Sequence, residues 1–426
     1  MEFRNLTPLH AIAFNAVDVQ RNEFHVVALK AGYRLEPILA ATDSRGDTHS
    51  CVLLEGDEAA LLTMADEFEG ETGKSSIKFE SDLAPFKPKC DVLIRATSFS
   101  PNGIPAESWP ARVRVMDGEK TVVEKGLRVW GPRFFRKTWR GWRCARPELC
   151  ESVPIRWEYG YGGTSIVTPD DSDEDRLNEV CFTNPLGCGW VEARYFDKAK
   201  RKKTKASPDI LSEPKERTRN DTLRAPQIEA WDDPVIDVDR VKHPGTEIDS
   251  KHMAKIAHQY RHEPVGLGPL GRAWTPRLQR AGTYDDAWAQ TVWPYLPRDF
   301  DFRYWNAAPD DQQIPWPESC LAFELANLAP PQTTRAGFLR TRLPEHRALV
   351  ALRFTNGAIA PIAMKLDTVL IDTEEMRVSA TWRAVFPLKP EVRVCEARFE
   401  TDACAPLLRI DAKSTLTDRE AAWQAT

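Results

Sequence analysis

Alternation of apolar and polar side chains restricts the fold of this chain more than any other feature, and segment 377–386 (RVSATWRAVF) shows it most clearly. In an extended strand, successive side chains point to opposite faces, so every second residue shares a face. The residues that share the apolar face here are Val378, Ala380, Trp382, Ala384 and Phe386. A one-sided pattern of this kind indicates antiparallel sheets packed face to face.

Further segments with strand character are 90–99, 111–130, 348–355 and 391–399. Two turn dipeptides, Asp117-Gly118 and Asn356-Gly357, favour β-hairpins. The chain of 426 residues contains 32 prolines, which limit long helices, and 14 tryptophans, which need extensive buried surface. We therefore expect a mainly β fold with antiparallel, sandwich-like sheets, few short helices and long loops.

Helical spacing of apolar residues is found in only a few short segments. Residues 57–68 and 247–262 are two of them. A third helix is expected after Thr283, because Asp286 follows at the spacing of a capping box. Pro294 should end this helix.

Changes in composition divide the chain into four expected parts. They are an N-terminal β-rich part (1–165), a loop-rich, charged insertion or linker (166–246), a C-terminal β-rich part with short helices (247–410) and a tail (411–426).

Overall charge and hydropathy exclude several classes of function. The formal net charge of −5 argues against a general nucleic-acid binder. No segment approaches the ~20 apolar residues of a membrane span. Residues 1–20 lack the basic and apolar regions of a signal peptide, so we expect a cytoplasmic protein.

His258 and His262 are four residues apart, the spacing of two zinc ligands on one face of a helix. Gln259 stands where a metalloprotease has Glu, and we expect neither a metal nor a cofactor.

Arginines and aromatic residues are interleaved over 126–146 (GLRVWGPRFFRKTWRGWRCAR), with no acidic residue among them. Three interpretations remain open. The aromatic rings belong to the core while the arginines reach solvent, or the segment contacts another protein, or it binds single-stranded nucleic acid.

Acidic residues cluster between 285 and 311, within an aromatic stretch. Paired carboxylates in different surroundings can divide the acid and base roles of a glycoside hydrolase. A carbohydrate-active hydrolase is therefore the alternative function, although helix caps, turns and arginine partners also explain these acids.

Several long strings resemble one bacterial family, the domain of unknown function 2169. The strings are ESDLAPFKPKCDVLI (80–94), WEYGYGG (157–163), TNPLGCG (183–189), PVGLGPLGRAWTPRLQRAGTYDDAW (264–288), LPRDFDFRYWNAAPDDQ (296–312) and LDTVLIDTEEMRVSATWR (366–383). EYGYGG departs from the usual string of the family, and the charged insertion over 164–206 is specific to this chain.

The resemblance implies a non-enzymatic adaptor, or effector chaperone, of the type VI secretion system. Such an adaptor binds a toxin, through the toxin's N-terminal segment, and helps load it onto spike proteins of the VgrG and PAAR types. The family has no established catalytic residues to carry over. Aromatic and arginine anchors suit a protein-binding role, and the expected contact or scaffold residues are Arg133, Trp139, Trp142, Trp274, Arg277, Tyr284, Trp288, Arg303 and Trp305.

Overall fold

The computed structural model describes residues 1–38, 49–169, 177–192, 204–207, 215–216, 222–241, 260–334, 336–403 and 405. Its strands are β1 (Glu2–Asn5), β2 (His10–Val17), β3 (Glu23–Pro37), β4 (His49–Leu54), β5 (Glu67–Phe68), β6 (Ile77–Phe79), β7 (Cys90–Arg95), β8 (Thr97–Phe99), β9 (Ser108–Asp117), β10 (Lys120–Trp130), β11 (Phe134–Thr138), β12 (Gly141–Cys144), β13 (Ser152–Pro154), β14 (Tyr161–Gly162), β15 (Thr164–Pro169), β16 (Leu177–Val180), β17 (Cys188–Glu192), β18 (Thr204–Ser207), β19 (Lys215–Glu216), β20 (Thr222–Arg224), β21 (Ile228–Ala230), β22 (Asp239–Val241), β23 (Gln313–Ile314), β24 (Leu321–Ala326), β25 (Phe338–Arg342), β26 (Arg347–Phe354), β27 (Ile359–Ala363), β28 (Lys365–Asp372), β29 (Arg377–Pro387) and β30 (Val392–Glu400).

Helices in the described ranges are short. The α-helices are α1 (Thr275–Leu278) and α2 (Asp286–Thr291). Single 3₁₀ turns lie at Gly56–Glu58, Pro101–Gly103, Trp157–Tyr159, Phe302–Trp305, Asp310–Gln312 and Pro331–Thr333. None of these helices has the length and apolar character needed to cross a bilayer.

The largest sheet, here called the main sheet, has seven strands in the order β2-β3-β29-β28-β7-β23, with β4 also paired to β3. Strands β3 and β29 pair antiparallel from Phe24 to Arg34. Strands β7 and β28 pair parallel. Since each of these pairs joins an early strand to a late one, the sheet forms only when both ends of the chain come together.

Two further sheets share one hydrophobic core with the main sheet. They have the strand orders β21-β10-β9-β24-β25 and β1-β30-β26-β27. The sheets contribute, among others, Leu29, Val113, Phe323, Val350 and Ala380 to this core. The expected parts 1–165 and 247–410 therefore share all three large sheets.

A second, smaller core contains Phe135 and Trp142 together with Trp190, Leu223 and Val238. The last three residues belong to the expected insertion over 166–246. Sequence periodicity gave no sign of their burial, because Trp190 and Leu223 lie on strands of five and three residues and Val238 directly precedes the short strand β22.

The mainly β prediction is confirmed, and so are the two hairpins. Asp117-Gly118 joins β9 to β10, and Asn356-Gly357 joins β26 to β27, with positive φ at both glycines. In β29 the predicted apolar face is buried. The polar face differs from the simple alternation, because Thr381 and Arg383 are buried as well.

Residues 80–91 lie over this polar face of the main sheet. The buried side chains of the face bind Asp82 in this segment and Asp367 on β28. The Arg383 guanidinium donates from Nε to the Asp367 carboxylate at 2.6 Å and from Nη1 to the Asp82 carbonyl at 3.0 Å. The Lys30 ammonium lies 2.8 Å from the Asp82 carboxylate. Burial raises the pKa of Asp367 in spite of Arg383.

The helix predicted over 57–68 is wrong. This segment has one 3₁₀ turn and then an extended chain that leads into β5. Its backbone N–H groups bond to other segments: Leu62 donates to the His10 ring at 2.9 Å and Thr63 to the Asp82 carboxylate at 2.8 Å. These tertiary bonds override a weak local preference for helix. Residues 247–259 of another predicted helix lie outside the described residues.

The Asp91 carboxylate on β7 holds the loop at 296–312 against the main sheet. It accepts hydrogen bonds from the Asn306 amide at 3.0 Å and from the Ala307 N–H at 2.9 Å. The Lys87 ammonium lies 2.9 Å away, and both charges are buried. Burial by itself would lower the pKa of Lys87, but Asp91 and Glu80 outweigh it and raise the pKa.

We expect Asp91→Ala to lower the free energy of unfolding by roughly 3–5 kcal/mol, because it leaves the Lys87 ammonium buried without its closest partner. Urea unfolding followed by tryptophan fluorescence measures this change. Arg34→Ala, which removes an exposed pair with Glu36, is the control and should hardly move the midpoint. Equal midpoints for the two variants would contradict the role given to Asp91.

Candidate binding surface

Four aromatic side chains surround helix α2 and form a surface that we call the aromatic platform: Tyr284, Trp288, Trp293 and Tyr295. Trp293 is 68% exposed, Tyr284 55% and Tyr295 38%. The Tyr284 and Trp288 rings meet edge to face at 4.7 Å. The Trp288 indole N–H donates to the Tyr295 carbonyl at 3.0 Å. The platform is therefore a solvent-exposed aromatic surface in which the Tyr284 and Trp288 rings hold each other and Trp288 also holds the backbone at Tyr295.

Local sequence explains why this short helix forms. Asp285 is its N-cap, and its carboxylate accepts from the Trp288 backbone N–H at 2.8 Å. Val292 is buried at the other end of the helix. The predicted helix is present, but capping by Thr283 is wrong: its hydroxyl donates instead to the Asp299 carboxylate at 2.7 Å.

Arg21 connects the platform to the β2–β3 hairpin of the main sheet. Its guanidinium lies over the Tyr295 ring at 5.0 Å from the centroid and donates to the Thr291 carbonyl at 3.2 Å. A cation over an aromatic face is attractive even at an exposed site. Platform and sheet edge are therefore adjacent.

Of the expected contact residues, Arg277 and Trp274 lie in the interior. The Arg277 guanidinium is fully buried and pairs with Glu80 at 2.6 Å. It also donates to the carbonyls of Tyr304 and Leu270, both at 2.9 Å. Trp274 packs edge to face on another buried tryptophan at 5.3 Å. These two residues hold the loops under the platform together.

The segment 126–146 divides between interior and surface. Arg133 is buried, paired with Glu229, and stacked on Trp130 at 4.5 Å. Trp142 is part of the second core. Trp139, at the tip of the β11–β12 hairpin, is 87% exposed and carries the Arg140 guanidinium 4.4 Å above its ring.

Arg303 and Trp305 lie on the 3₁₀ turn Phe302–Trp305. Arg303 is exposed and pairs with Asp301 at 2.6 Å. Burial would raise the pKa of Asp301, but hydrogen bonds from Arg303 outweigh it and lower the pKa. Trp305 is half-buried beneath the Arg272 guanidinium, at 5.6 Å. The structure thus brings Tyr284 and Trp288 together and leaves Trp139 on a separate surface.

The carboxylates of 285–311 have structural partners. Asp285 caps α2 and Asp299 binds Thr283, as described above. Asp310 pairs with Arg280 at 2.6 Å and Asp311 with Lys125 at 2.9 Å. Asp286 is exposed in the first turn of α2. A helix cap, a hydrogen bond and ion pairs therefore engage these acids, with the exception of Asp286.

Metal-binding side chains do not group within the described ranges, where no cluster of three or more His, Cys, Asp or Glu is found. His262 is buried and bonds Asp233 at 2.9 Å. His258, its expected neighbour on a helix, lies outside those ranges.

Sequence reasoning missed Trp293, Tyr295 and Arg21. The string Trp293-Pro294-Tyr295 offers a sequence signal of exposure. Aromatic residues beside a proline, after a short helix, have little regular structure against which they could be buried. Their exposure itself depends on tertiary packing, and the distance along the chain between Arg21 and Tyr295 hides that contact.

A comparison with protein families matches residues 21–383 to a family described as an uncharacterized protein conserved in bacteria (DUF2169). This match covers most of the chain and agrees with the resemblance carried by its motifs. No curated protein and no solved structure shows detectable similarity to the chain.

The β11–β12 hairpin offers a matched pair of substitutions. We expect Trp142→Ala to lower the free energy of unfolding by roughly 3–5 kcal/mol, because it empties a buried site. Trp139→Ala should leave the urea midpoint nearly unchanged, since its ring is exposed. Comparable losses from both variants would show that Trp139 is buried in the folded protein.

Proposed function

The chain belongs to the DUF2169 family, and we propose that it is a cytoplasmic adaptor of the type VI secretion system. It binds a toxin and helps load it onto a spike of VgrG and PAAR proteins. The resemblance of its motifs supplies the class of function. The aromatic platform is the observation that supports a protein-binding role.

Exposed aromatic side chains on a fixed base suit the capture of a partner. Tyrosine and tryptophan supply large contact areas for little conformational entropy, and they dominate binding hot spots. Here Asp285, Val292 and the Trp288–Tyr295 hydrogen bond fix the helix that carries them. Binding therefore requires little reordering of the platform, and most of the gain comes from desolvating its rings.

Exposed Asp285 and Asp286 lie on the same helix, but the platform rings themselves are neutral, which favours an apolar partner segment. Partial burial raises the pKa of Tyr284, so its phenol is neutral at physiological pH. The one cation that contacts the platform rings, among the described residues, is Arg21 on Tyr295. An apolar segment of the toxin would be shielded here from aggregation until it is transferred to the spike.

We favour binding over hydrolysis because three of the acids near the platform are engaged in ion pairs. Asp301, Asp310 and Asp311 each pair with a cation. An ion-paired carboxylate is a poor general acid, since its cationic partner favours the charged form.

Co-expression with the products of the neighbouring genes, to find the toxin, tests the proposal. We expect a stable complex, and we expect Tyr284→Ser with Trp293→Ala to weaken it at least tenfold, which corresponds to about 1.4 kcal/mol. Isothermal titration measures affinity, and urea unfolding confirms that the variant is folded.

Trp231→Ala is the matched control, because Trp231 is 53% exposed and stacks with Arg128 at 4.5 Å, away from the platform. The affinity of this variant for the toxin should equal that of the wild-type protein. A toxin that is equally soluble alone and forms no complex would refute the adaptor role. An equal loss in both variants would refute the platform as the contact.

A further inference from the structure

Strand β2 forms an unprotected edge of the main sheet. It pairs with β3 over all of its residues, from His10–Lys30 to Val17–Glu23, without a bulge. No other strand of the described ranges pairs with its outer side. Its sequence, HAIAFNAV, contains no Lys, Arg, Asp, Glu or Pro. Natural sheets usually block such edges with charges, prolines or bulges.

Three other edges of the large sheets carry protective features of this kind. Strand β27 has Pro361 at its centre. Strand β25 has Arg340 and Arg342, and β1 has Glu2 and Arg4. Strand β4 (HSCVLL) also lacks charges and prolines, but it has six residues, whereas β2 offers an open edge of eight.

Backbone hydrogen bonds identify which groups of β2 face outward. The Asp18 N–H donates to the Asn22 carbonyl at 3.0 Å. Since bonding alternates along an antiparallel pair, the even-numbered residues of β2 bond to β3. The N–H and C=O groups of the odd-numbered residues point away from the sheet: Ala11, Ala13, Asn15 and Val17. The Asn15 side chain does not cap this edge, because it binds the His25 ring at 2.7 Å.

Side chains on both faces of β2 favour an apolar occupant. Ala11 and Ala13 lie beside Leu29 and Val27, pack against the main core and are only partly buried. Small residues next to large ones leave room for a bulky apolar side chain from an added strand. Ile12 and Phe14 are half exposed on the opposite face.

The edge also leads toward the aromatic platform. Its last residue, Val17, precedes the turn that carries Arg21, and Arg21 contacts both Thr291 and Tyr295. A strand that follows the edge of β2 therefore reaches the platform rings at one end.

We propose that the outer edge of β2 accepts an extended apolar segment of the toxin as an additional strand, with one end of that segment against the aromatic platform. Main-chain hydrogen bonds then give affinity, and the alternating side chains give specificity. This inference rests on the proposed adaptor function. It goes beyond the family match, which begins at residue 21, after β2.

Hydrogen–deuterium exchange of the wild-type protein with and without its co-purified toxin is the direct test. In the free protein, the outward amides of Ala11, Ala13, Asn15 and Val17 should exchange fast. In the complex, these four amides should become protected. About half of the amides over 10–17 should therefore change from fast to slow exchange.

Ala13→Pro is the matching variant. The Ala13 N–H points outward, so its removal breaks no hydrogen bond to β3. We expect an unchanged urea midpoint and at least tenfold weaker toxin binding. The control is Ala363→Pro on β27: Pro361 two residues earlier shows that this position also points outward. The control should bind as the wild type does.

The outcomes separate the two proposals. A toxin complex in which 10–17 exchanges as in the free protein overturns strand addition and leaves the adaptor function standing. Absence of any complex removes both. Protection of 10–17 in the toxin-free protein, together with a dimeric mass by light scattering, would show that a second copy occupies the edge and would also overturn the proposal.

Discussion

Buried ion pairs between the main sheet and the segments that cross it are the constraint on which the rest of the structure depends. Asp91 binds Lys87 and the loop at Asn306, and Arg277 binds Glu80 beneath the platform. Unpaired charges at these buried positions are costly. Irregular loops can therefore hold one conformation over the sheet.

That scaffold explains how an apolar surface remains exposed without collapsing onto the core. The Tyr284 and Trp288 rings contact each other, and Val292 and Arg21 attach their helix to the protein. Beside it, β2 presents outward backbone groups that no described strand uses. Side-chain contacts on the platform and main-chain contacts on the edge are complementary ways of holding one extended apolar segment.

Much of the fold could be predicted from the sequence, because a strand with one buried face shows a period of two. The apolar face of 377–386 and the hairpins at Asp117-Gly118 and Asn356-Gly357 are examples. Burial of Arg383 could not be predicted, since its partners Asp82 and Asp367 are distant in sequence. For the candidate site, Tyr284 and Trp288 were expected, whereas exposure of Trp293 and burial of Arg277 depend on tertiary contacts.

The central claim is that the aromatic platform contacts the toxin. Photo-cross-linking tests it most directly: benzoylphenylalanine is placed at position 293 or, as a control, at position 231, and the products are mapped by mass spectrometry in the toxin complex. Our account predicts cross-links to an apolar segment near the N-terminus of the toxin from position 293 and none from position 231. Cross-links from position 231 alone, in a complex of unchanged affinity, would contradict it.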